Sequence, residues 1–152
     1  MKYDTIDKQF IGEHSWLFVI PNEANQTGYL RATIKNKHYY LHRLIMEKML
    51  DRKINKNERV DHINRDGADN RRSNLRLCSC QQNAFNQGVR KNNTSGYKGV
   101  TFKQKNNKWF AAISPNGKRI SLGSFDDKEN AASAYNQAAI KYFGEFAYLN
   151  PL

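Results

Sequence analysis

The sequence predicts an α+β fold built from two small domains. One observation is the order strand, polar loop, strand and helix start across residues 60–83. Another is a series of three short strand patterns followed by one helical pattern across residues 96–152. The length of 152 residues allows one ordinary domain or two small ones. We predict domains at residues 1–88 and 96–152, joined by a basic linker at residues 89–95.

Short strands and one helix are predicted before the first of these patterns. Residues 1–40 read as short strands, with a β-rich apolar run at 15–20 and a turn-rich connection at 21–28. Lys35, Asn36 and Lys37 form a plausible tight turn. Apolar residues at helical spacing then predict a short helix at residues 43–50.

Two histidines before that helix leave two interpretations open. His38 and His42 are four residues apart, which is the spacing of a metal-binding pair on a helix. The two tyrosines between them favour a strand instead. The sequence gives His42 no definite role.

The central pattern carries residues suited to phosphodiester cleavage. Asp61 and His62 are adjacent in the first strand, and a carboxylate is a hard oxygen ligand for an ion such as magnesium. Neutral histidine can take a proton from water near pH 7. Ser79 followed by Gln82 is a capping-box pattern, so a helix should begin there and hold Asn83 in its first turns. The amide oxygen of Asn83 could then be a second metal ligand.

The spacing of these residues resembles the HNH endonucleases with the ββα-metal fold, in particular the phage and intron-encoded homing group. The segment from Leu41 to Leu44 also fits that group. The resemblance implies that His62 is the general base and that Asn74 braces the loop between the strands. It implies that Asp61 and Asn83 hold one divalent ion, Mg²⁺ or Mn²⁺. It also implies products with a 5′ phosphate and a 3′ hydroxyl.

The composition favours a polyanionic partner. The chain has 25 Lys and Arg against 14 Asp and Glu, a formal charge of +11. Such an excess points to nucleic acid. An anionic membrane surface is the rival partner, but no long basic amphipathic helix supports it. We find no apolar run that could cross a bilayer and no signal peptide, so we expect no membrane partner.

The two cysteines predict a reducing compartment. Cys78 and Cys80 lie one residue apart, which makes a poor disulfide and half a zinc site at most. We therefore expect no structural zinc. We place the protein in the cytoplasm of a phage-infected or bacterial host cell.

The C-terminal part predicts three antiparallel strands and one helix. The strands are expected at residues 97–103, 108–114 and 118–123, with a hairpin at Ser114 to Gly117. Asp126 and Glu129 predict a capping box. A helical stripe of small and aromatic residues follows and is capped by Gly144.

This part resembles the ethylene-response-factor class of plant DNA-binding domains, the APETALA-two fold. The motifs that carry the likeness are Tyr97-Lys98-Gly99-Val100, Lys108-Trp109, Leu122-Gly123-Ser124-Phe125-Asp126, Ala131-Ala132-x-Ala134-Tyr135, Ala138-Ala139 and Leu149-Asn150. The resemblance implies a sheet that lies in the major groove. Three basic residues occupy arginine positions of the plant domains, namely Lys98, Lys103 and Arg119. Three positions depart from the plant pattern, namely Thr101, Ser114 and Ser121. We therefore expect a different sequence preference, with more contact to the DNA backbone. Trp109 and Phe110 are expected to be core residues rather than base-stacking groups.

The residues predicted to contact DNA are basic and lie beside the two motifs or in the linker: Arg71, Arg72, Arg76, Arg90, Lys91, Lys98, Lys103, Lys105, Lys108 and Arg119. The chain is thus predicted to be a metal-dependent endonuclease for double-stranded DNA, of homing type and encoded by a phage or mobile element. One motif per chain predicts a monomer that nicks one strand, with a dimer as the alternative. Two other functions stay open: a DNA-binding regulator whose nuclease-like domain is inactive, and a basic RNA-binding structural protein.

Overall fold

The computed structural model describes residues 1–20 and 27–152 of the chain. Two compact units are present, Met1–Asn83 and Ala84–Leu152. Both combine helices with antiparallel sheets, which confirms the α+β prediction. The predicted connection at 21–28 falls largely outside the described residues. The division between the units lies ahead of the segment 89–95, whose role as a linker stays a prediction.

In its described residues, the first unit contains two small sheets and three α-helices, the last of which continues past Asn83. Its elements are α1 (Lys8–Gly12), β1 (Leu17–Val19), β2 (Tyr29–Ile34), β3 (Lys37–Tyr40), α2 (Leu41–Leu50), β4 (Glu58–His62), β5 (Leu75–Ser79) and α3 (Cys80–Asn86). The sheets have the orders β1-β2-β3 and β4-β5. The turn before β3 is the predicted one, since Lys35 and Asn36 both have positive φ, as a two-residue hairpin requires. The core packs α2 against both sheets through Leu41, Ile45, Leu30, Val60 and Leu75.

Two predictions for the first 50 residues were wrong in detail. The segment Thr5–Gly12 is helical rather than extended, because this places Ile11 in the core, where the Trp16 indole donates a hydrogen bond to its carbonyl at 3.0 Å. The second helix begins at Leu41, two residues earlier than expected. His42 therefore lies in a helix, whereas His38 lies in β3.

The second unit is the predicted three-stranded sheet with one long helix. Its elements are β6 (Val100–Lys103), β7 (Lys108–Ile113), β8 (Ile120–Phe125) and α4 (Lys128–Phe143), and the sheet order is β6-β7-β8. Alanines on α4 are fully buried at positions 131, 132 and 139. Their small side chains let the helix lie close to β7, whose Ala111 is also fully buried. Gly144 has φ +54° and ends the helix, as predicted.

The N-terminal cap of α4 differs from the prediction by one residue. Asp127 is the capping residue, and its carboxylate accepts hydrogen bonds from the backbone N–H groups of Glu129 and Asn130 at 3.2 and 3.1 Å. Asp126, the predicted cap, instead forms an ion pair with Lys108 at 2.6 Å. The capping pattern Asp-x-x-Glu was therefore assigned to the wrong aspartate of the adjacent pair.

Replacing Asp127 with alanine should lower the thermal midpoint of the second unit, because two amide groups at the start of α4 lose their acceptor. We expect a fall of about 4 °C from the usual size of capping effects in a domain of this length. Asp126→Ala is the matched control and should have little effect. Circular dichroism melting of both variants is the measurement, and a larger fall for the control would contradict this capping assignment.

The end of α3 packs within the second unit. Phe85 stacks on Phe143 with ring centroids 3.8 Å apart, and its carbonyl accepts a hydrogen bond from the Tyr148 N–H. The Lys98 ammonium donates to the carbonyls of Phe85 and Gln87 at 2.7 and 2.6 Å. Lys98 thus helps to satisfy carbonyl groups at and just beyond the end of α3, where a helix leaves such groups without partners in its own backbone. In residues 1–20 and 27–152, no helix has the length and apolar character needed to cross a bilayer.

Candidate active site

Asp61 and His62 end β4 and are both buried, with 7% and 4% of their surfaces exposed. β4 pairs with β5 so that Asp61 lies opposite Arg76 and His62 opposite Leu75. The Arg76 guanidinium donates to Asp61 Oδ2 from Nε and Nη2 at 2.9 and 2.7 Å. This cross-strand pair fixes the orientation of the Asp61 carboxylate.

The imidazole of His62 is buried beside two aromatic rings and an amide. Its ring lies 5.8 Å from the Tyr29 ring and 5.1 Å from the His42 ring, measured between centroids. Nε2 lies 3.4 Å from the amide oxygen of Asn70. Burial lowers the pKa of His62 below its ordinary value of 6.5, whereas the bond with Asn70 and the charge of Asp61 act in the opposite direction. The net lowering keeps the imidazole neutral near pH 7, the form that can accept a proton.

Asn74 lies directly before β5 and joins both ends of the polar loop between β4 and β5. Its amide oxygen accepts from the Asn64 N–H at 3.0 Å, and its amide nitrogen donates to the Asp69 carbonyl at 2.7 Å. Its own carbonyl accepts from the Ile63 N–H at 2.9 Å. These bonds are of the kind expected from a residue that braces the loop beside His62.

The N-terminal strap, which we define as residues 2–7, holds the same loop from outside. The backbone of Lys2 forms two hydrogen bonds with the loop. Its N–H donates to the Ala68 carbonyl at 2.8 Å, and its carbonyl accepts from the Asn70 N–H at 2.7 Å. Asp7 is fully buried and accepts from Arg72 Nε and Nη2 at 2.9 and 2.8 Å. The first residues of the chain therefore help to fix the loop that borders the site.

His42 is part of the wall of this site. Its ring lies 5.0 Å from the Tyr29 ring and stacks on the Tyr40 ring at 5.7 Å. Burial lowers the pKa of His42 to about 3, with smaller contributions from His62 and Arg43. Within the described residues its buried Nδ1 has no hydrogen-bond partner. His42 is thus a neutral packing group against the proposed base, and it does not share a helix face with His38.

The two predicted metal ligands carry oxygen donors that suit a hard divalent ion. Asp61 offers a carboxylate and Asn83, half-buried in α3, offers an amide oxygen. Oxygen ligands of this kind match Mg²⁺ or Mn²⁺, which keep several water ligands. No three His, Cys, Asp or Glu side chains group as a metal site in the part of the chain that the structure describes. The joint role of Asp61 and Asn83 as metal ligands stays a prediction.

Five of the predicted DNA contacts are engaged in bonds within their own unit. Arg71 donates to Asp69 at 2.8 Å, and Arg72 and Arg76 pair with Asp7 and Asp61. Lys108 pairs with Asp126, and Lys98 donates to backbone carbonyls. Each of these side chains has a structural task that the sequence did not reveal. Their roles on DNA stay predictions, because any phosphate contact would compete with these bonds.

The other five predicted contacts are exposed to solvent: Arg90, Lys91, Lys103, Lys105 and Arg119. The Lys103 ammonium lies 5.0 Å from the centroid of the Phe110 ring. Trp109 packs in the core beside α4, as predicted. Because neighbouring strand residues point to opposite faces, Phe110 lies on the helix-free face of the sheet rather than in that core. This half-buried ring therefore lies beside a lysine on the helix-free face.

Several residues of the site were not found from the sequence. Asn70 contacts His62, and Tyr29 and His42 pack against it, although these residues are 8 to 33 positions away in the chain. Asp7 sits 65 positions from its partner Arg72. Spacing reveals neighbours within one helix or strand, and these partners belong to different elements. An isolated Asn within a loop rich in Asn and Asp offered no distinguishing signal.

Comparisons with known proteins agree with the two halves of the chain. The family model of HNH endonucleases matches residues 39–85, and that of the AP2 domain matches residues 95–145. An HNH endonuclease of Acanthamoeba polyphaga mimivirus is 38% identical over 112 residues, which are 74% of this chain and 57% of the relative. APETALA2-like protein 2 of Oryza sativa is 44% identical over 57 residues, which are 38% of this chain and 13% of the relative. The chain thus spans about half of the viral relative and a small part of the plant one. No solved structure matches it.

A third relative is matched over most of its own length. Protein 3.8 of Escherichia phage T7 is 31% identical over 88 residues, which are 58% of this chain and 72% of the relative. The HNH match covers β4, β5, the loop between them and most of α3, and so includes Asp61, His62, Asn74 and Asn83. On these grounds the chain belongs to the HNH endonuclease family and carries an AP2 domain in its C-terminal part.

Proposed function

We propose that this protein is a metal-dependent endonuclease that nicks one strand of duplex DNA. The observation that carries the proposal is that the buried imidazole of His62 and the carboxylate of Asp61, which Arg76 holds in one orientation, are consecutive residues at the end of β4. A neutral base and a hard oxygen ligand side by side are the minimum that metal-assisted phosphodiester hydrolysis requires. Membership of the HNH family and a net charge of +11 support the choice of DNA as substrate.

Each residue of the site has a distinct task in this proposal. His62 takes a proton from the water that attacks the scissile phosphorus. Asp61 and Asn83 would hold one Mg²⁺ or Mn²⁺, which would stabilise the charge that develops on the phosphate and on the leaving 3′ oxygen. Asn74 keeps the loop in place through the bonds described above. Arg76 keeps the Asp61 carboxylate in one orientation.

The second unit is proposed to position the nuclease on duplex DNA. Its AP2 match and the exposed basic residues of β6 and of the approach to β8 support this role. Lysine binds phosphate as a point charge, whereas arginine can also form two parallel bonds to guanine. Because this surface has few arginines, backbone contact should contribute more than base contact.

Replacing exposed cations beside the sheet should reduce the affinity for duplex DNA and the dependence of that affinity on salt. Arg119→Ala and Lys105→Ala should each lower the slope of log affinity against log salt by about one, the value for one lost phosphate contact. Lys141→Ala, on the exposed side of α4, is the matched control and should leave the slope unchanged. Fluorescence anisotropy with labelled duplex at several salt concentrations measures this, and equal slopes for all variants would contradict the proposed surface.

Conversion of supercoiled plasmid to open circle tests the proposed activity. The full chain is incubated with Mg²⁺, Mn²⁺ or EDTA on DNA that includes the genomic region around the gene. We expect nicking with either metal and none with EDTA. Asp61→Asn should require more metal for half-maximal nicking, because a neutral amide binds a divalent ion more weakly than a carboxylate. Nicking that is equal in EDTA would contradict metal dependence.

A second candidate function is a DNA-binding regulator with an inactive nuclease domain. One observation favours it: Arg76 already neutralises the Asp61 carboxylate that would bind the metal. This function predicts tight binding to duplex DNA and no nicking under any metal. The plasmid experiment therefore separates the two functions, since a site-bound but uncut plasmid would support the regulator.

The proposed setting is a virus or another mobile element. Relatives in a giant virus and a phage support this setting, and homing is the proposed role. A single site per chain further predicts that one monomer cuts one strand. Analysis of cut products from plasmid carrying one target should show open circle before linear DNA.

A further inference from the structure

Asn70 is fully buried and its amide is held in one orientation. The amide nitrogen donates to the Gly67 carbonyl at 3.3 Å, so the amide oxygen is the atom that faces His62 Nε2 at 3.4 Å. The backbone N–H of Asn70 donates to the Lys2 carbonyl at 2.7 Å. The strap and the loop together thus place one hydrogen-bond acceptor opposite one nitrogen of the imidazole.

An acceptor at this position selects between the two neutral forms of the ring. An amide oxygen cannot donate, so the bond forms only when His62 Nε2 carries the hydrogen. In the other neutral form, the lone pair of His62 Nε2 would face a lone pair of the Asn70 amide oxygen in a buried position. The form with hydrogen on Nε2 carries its basic lone pair on Nδ1.

We propose that Asn70 is a positioning residue that fixes the tautomer and the ring orientation of His62, so that Nδ1 is the atom that takes the proton from water. This inference rests on the proposed nuclease function. Tyr29 and His42 complete the arrangement, because their rings pack against His62 and limit its rotation. Asn70 itself does not touch the reacting atoms in this assignment.

The tautomer can be measured without any cleavage. Long-range ¹H–¹⁵N spectra of the full chain labelled with ¹⁵N-histidine contain four imidazoles, and a His62→Gln variant identifies the signals of His62. We expect wild-type His62 to show a protonated Nε2 and an unprotonated Nδ1 near neutral pH. Spectra in which Nδ1 carries the hydrogen would overturn the proposal directly, whether or not any Asn70 variant folds.

Variants of Asn70 test whether this residue sets the tautomer. Asn70→Ala should give averaged shifts typical of a mixture, whereas Asn70→Asp keeps an acceptor and should retain the wild-type pattern. Ile45→Ala removes a fully buried side chain from the core of the same unit and serves as the control for general destabilisation. His62 signals that stay unchanged in Asn70→Ala would overturn the assignment.

Nicking kinetics give the second measurement. Asn70→Ala should lower kcat by about tenfold with little change in KM, as for other residues that orient a catalytic group. Asn70→Asp should recover most of this loss. Equal kcat for wild type and Asn70→Ala would contradict the positioning role. The failure of this proposal and the failure of the nuclease function are distinguishable. A wild-type chain that shows the expected spectrum but nicks no DNA would support the positioning of the His62 ring by Asn70 and would contradict the nuclease function.

Discussion

Replacing His62 with alanine should reduce nicking of supercoiled plasmid by about 10²- to 10⁴-fold, the range for loss of a general base. The water would then have no group positioned to accept its proton. Duplex binding should stay close to that of wild type, because His62 is buried and offers no contact surface to DNA. The expected loss therefore lies in the chemical step rather than in affinity.

Three measurements make this prediction decisive. Nicking is followed under single-turnover conditions, binding by anisotropy in EDTA, and folding by circular dichroism. His38→Ala is the matched control, since His38 is exposed in β3 and bonds only to the Thr33 hydroxyl among the contacts described. A His62→Ala protein that is folded and nicks at the wild-type rate would exclude His62 as the base.

Replacing Arg72 with methionine should destabilise the first unit by about 3–5 kcal/mol, the cost of leaving a buried charge without its partner. Asp7 is fully buried, and the Arg72 side chain is 27% exposed. Lys48 is a weaker partner at 3.6 Å. Methionine fills much of the same volume but offers no hydrogen bond, so the Asp7 carboxylate would lose its two best donors.

Tryptophan fluorescence can isolate this effect. The chain has two tryptophans, and in a Trp109→Phe background the signal of Trp16 reports on the first unit. Adding Asp7→Asn to Arg72→Met should recover part of the stability, because the buried charge is then absent. Arg52→Met breaks an exposed ion pair and is the control, with a urea midpoint close to wild type. A midpoint for Arg72→Met equal to that of the control would contradict a structural role for Arg72.

The same pair sets a pH dependence. Hydrogen bonding with Arg72 holds the pKa of Asp7 below its ordinary value of 3.8. A carboxyl whose pKa is lower in the folded state stabilises the protein above its unfolded pKa and loses that contribution as the pH falls through the folded one. The difference in stability between wild type and Arg72→Met should therefore be full at pH 7 and shrink below about pH 3.8.

Patterns that act over a few residues were predictable from the sequence. The capping box at the start of α3 is confirmed by both of its bonds, Ser79 N–H to Gln82 at 2.8 Å and Gln82 N–H to the Ser79 hydroxyl at 3.1 Å. The turn at Lys35 and Asn36 is confirmed for a similar reason, since a short loop and two strands define it locally. Such features depend on the spacing of neighbouring residues, which can be read directly from the sequence.

Contacts between distant elements were not predictable in this way. Positive charge identified Arg72 and Lys98 as DNA contacts, but charge alone does not show that a buried aspartate or a set of carbonyls already binds them. His42 was uncertain because its role comes from packing against Tyr29 and His62. Caps and turns within a few residues were thus predicted more accurately than contacts between distant elements.

The N-terminal strap also bears on the order in which the first unit can fold. Asp4 and Asp7 bond to Arg72, which follows them by 68 and 65 positions, so this contact closes almost the whole unit into one loop. Contacts of such long separation form slowly, because chain entropy must be lost before they stabilise anything. During synthesis on a ribosome, the strap could form these contacts only after the loop that follows β4 had emerged. The loop that borders His62 would then be among the last parts of the unit to become ordered.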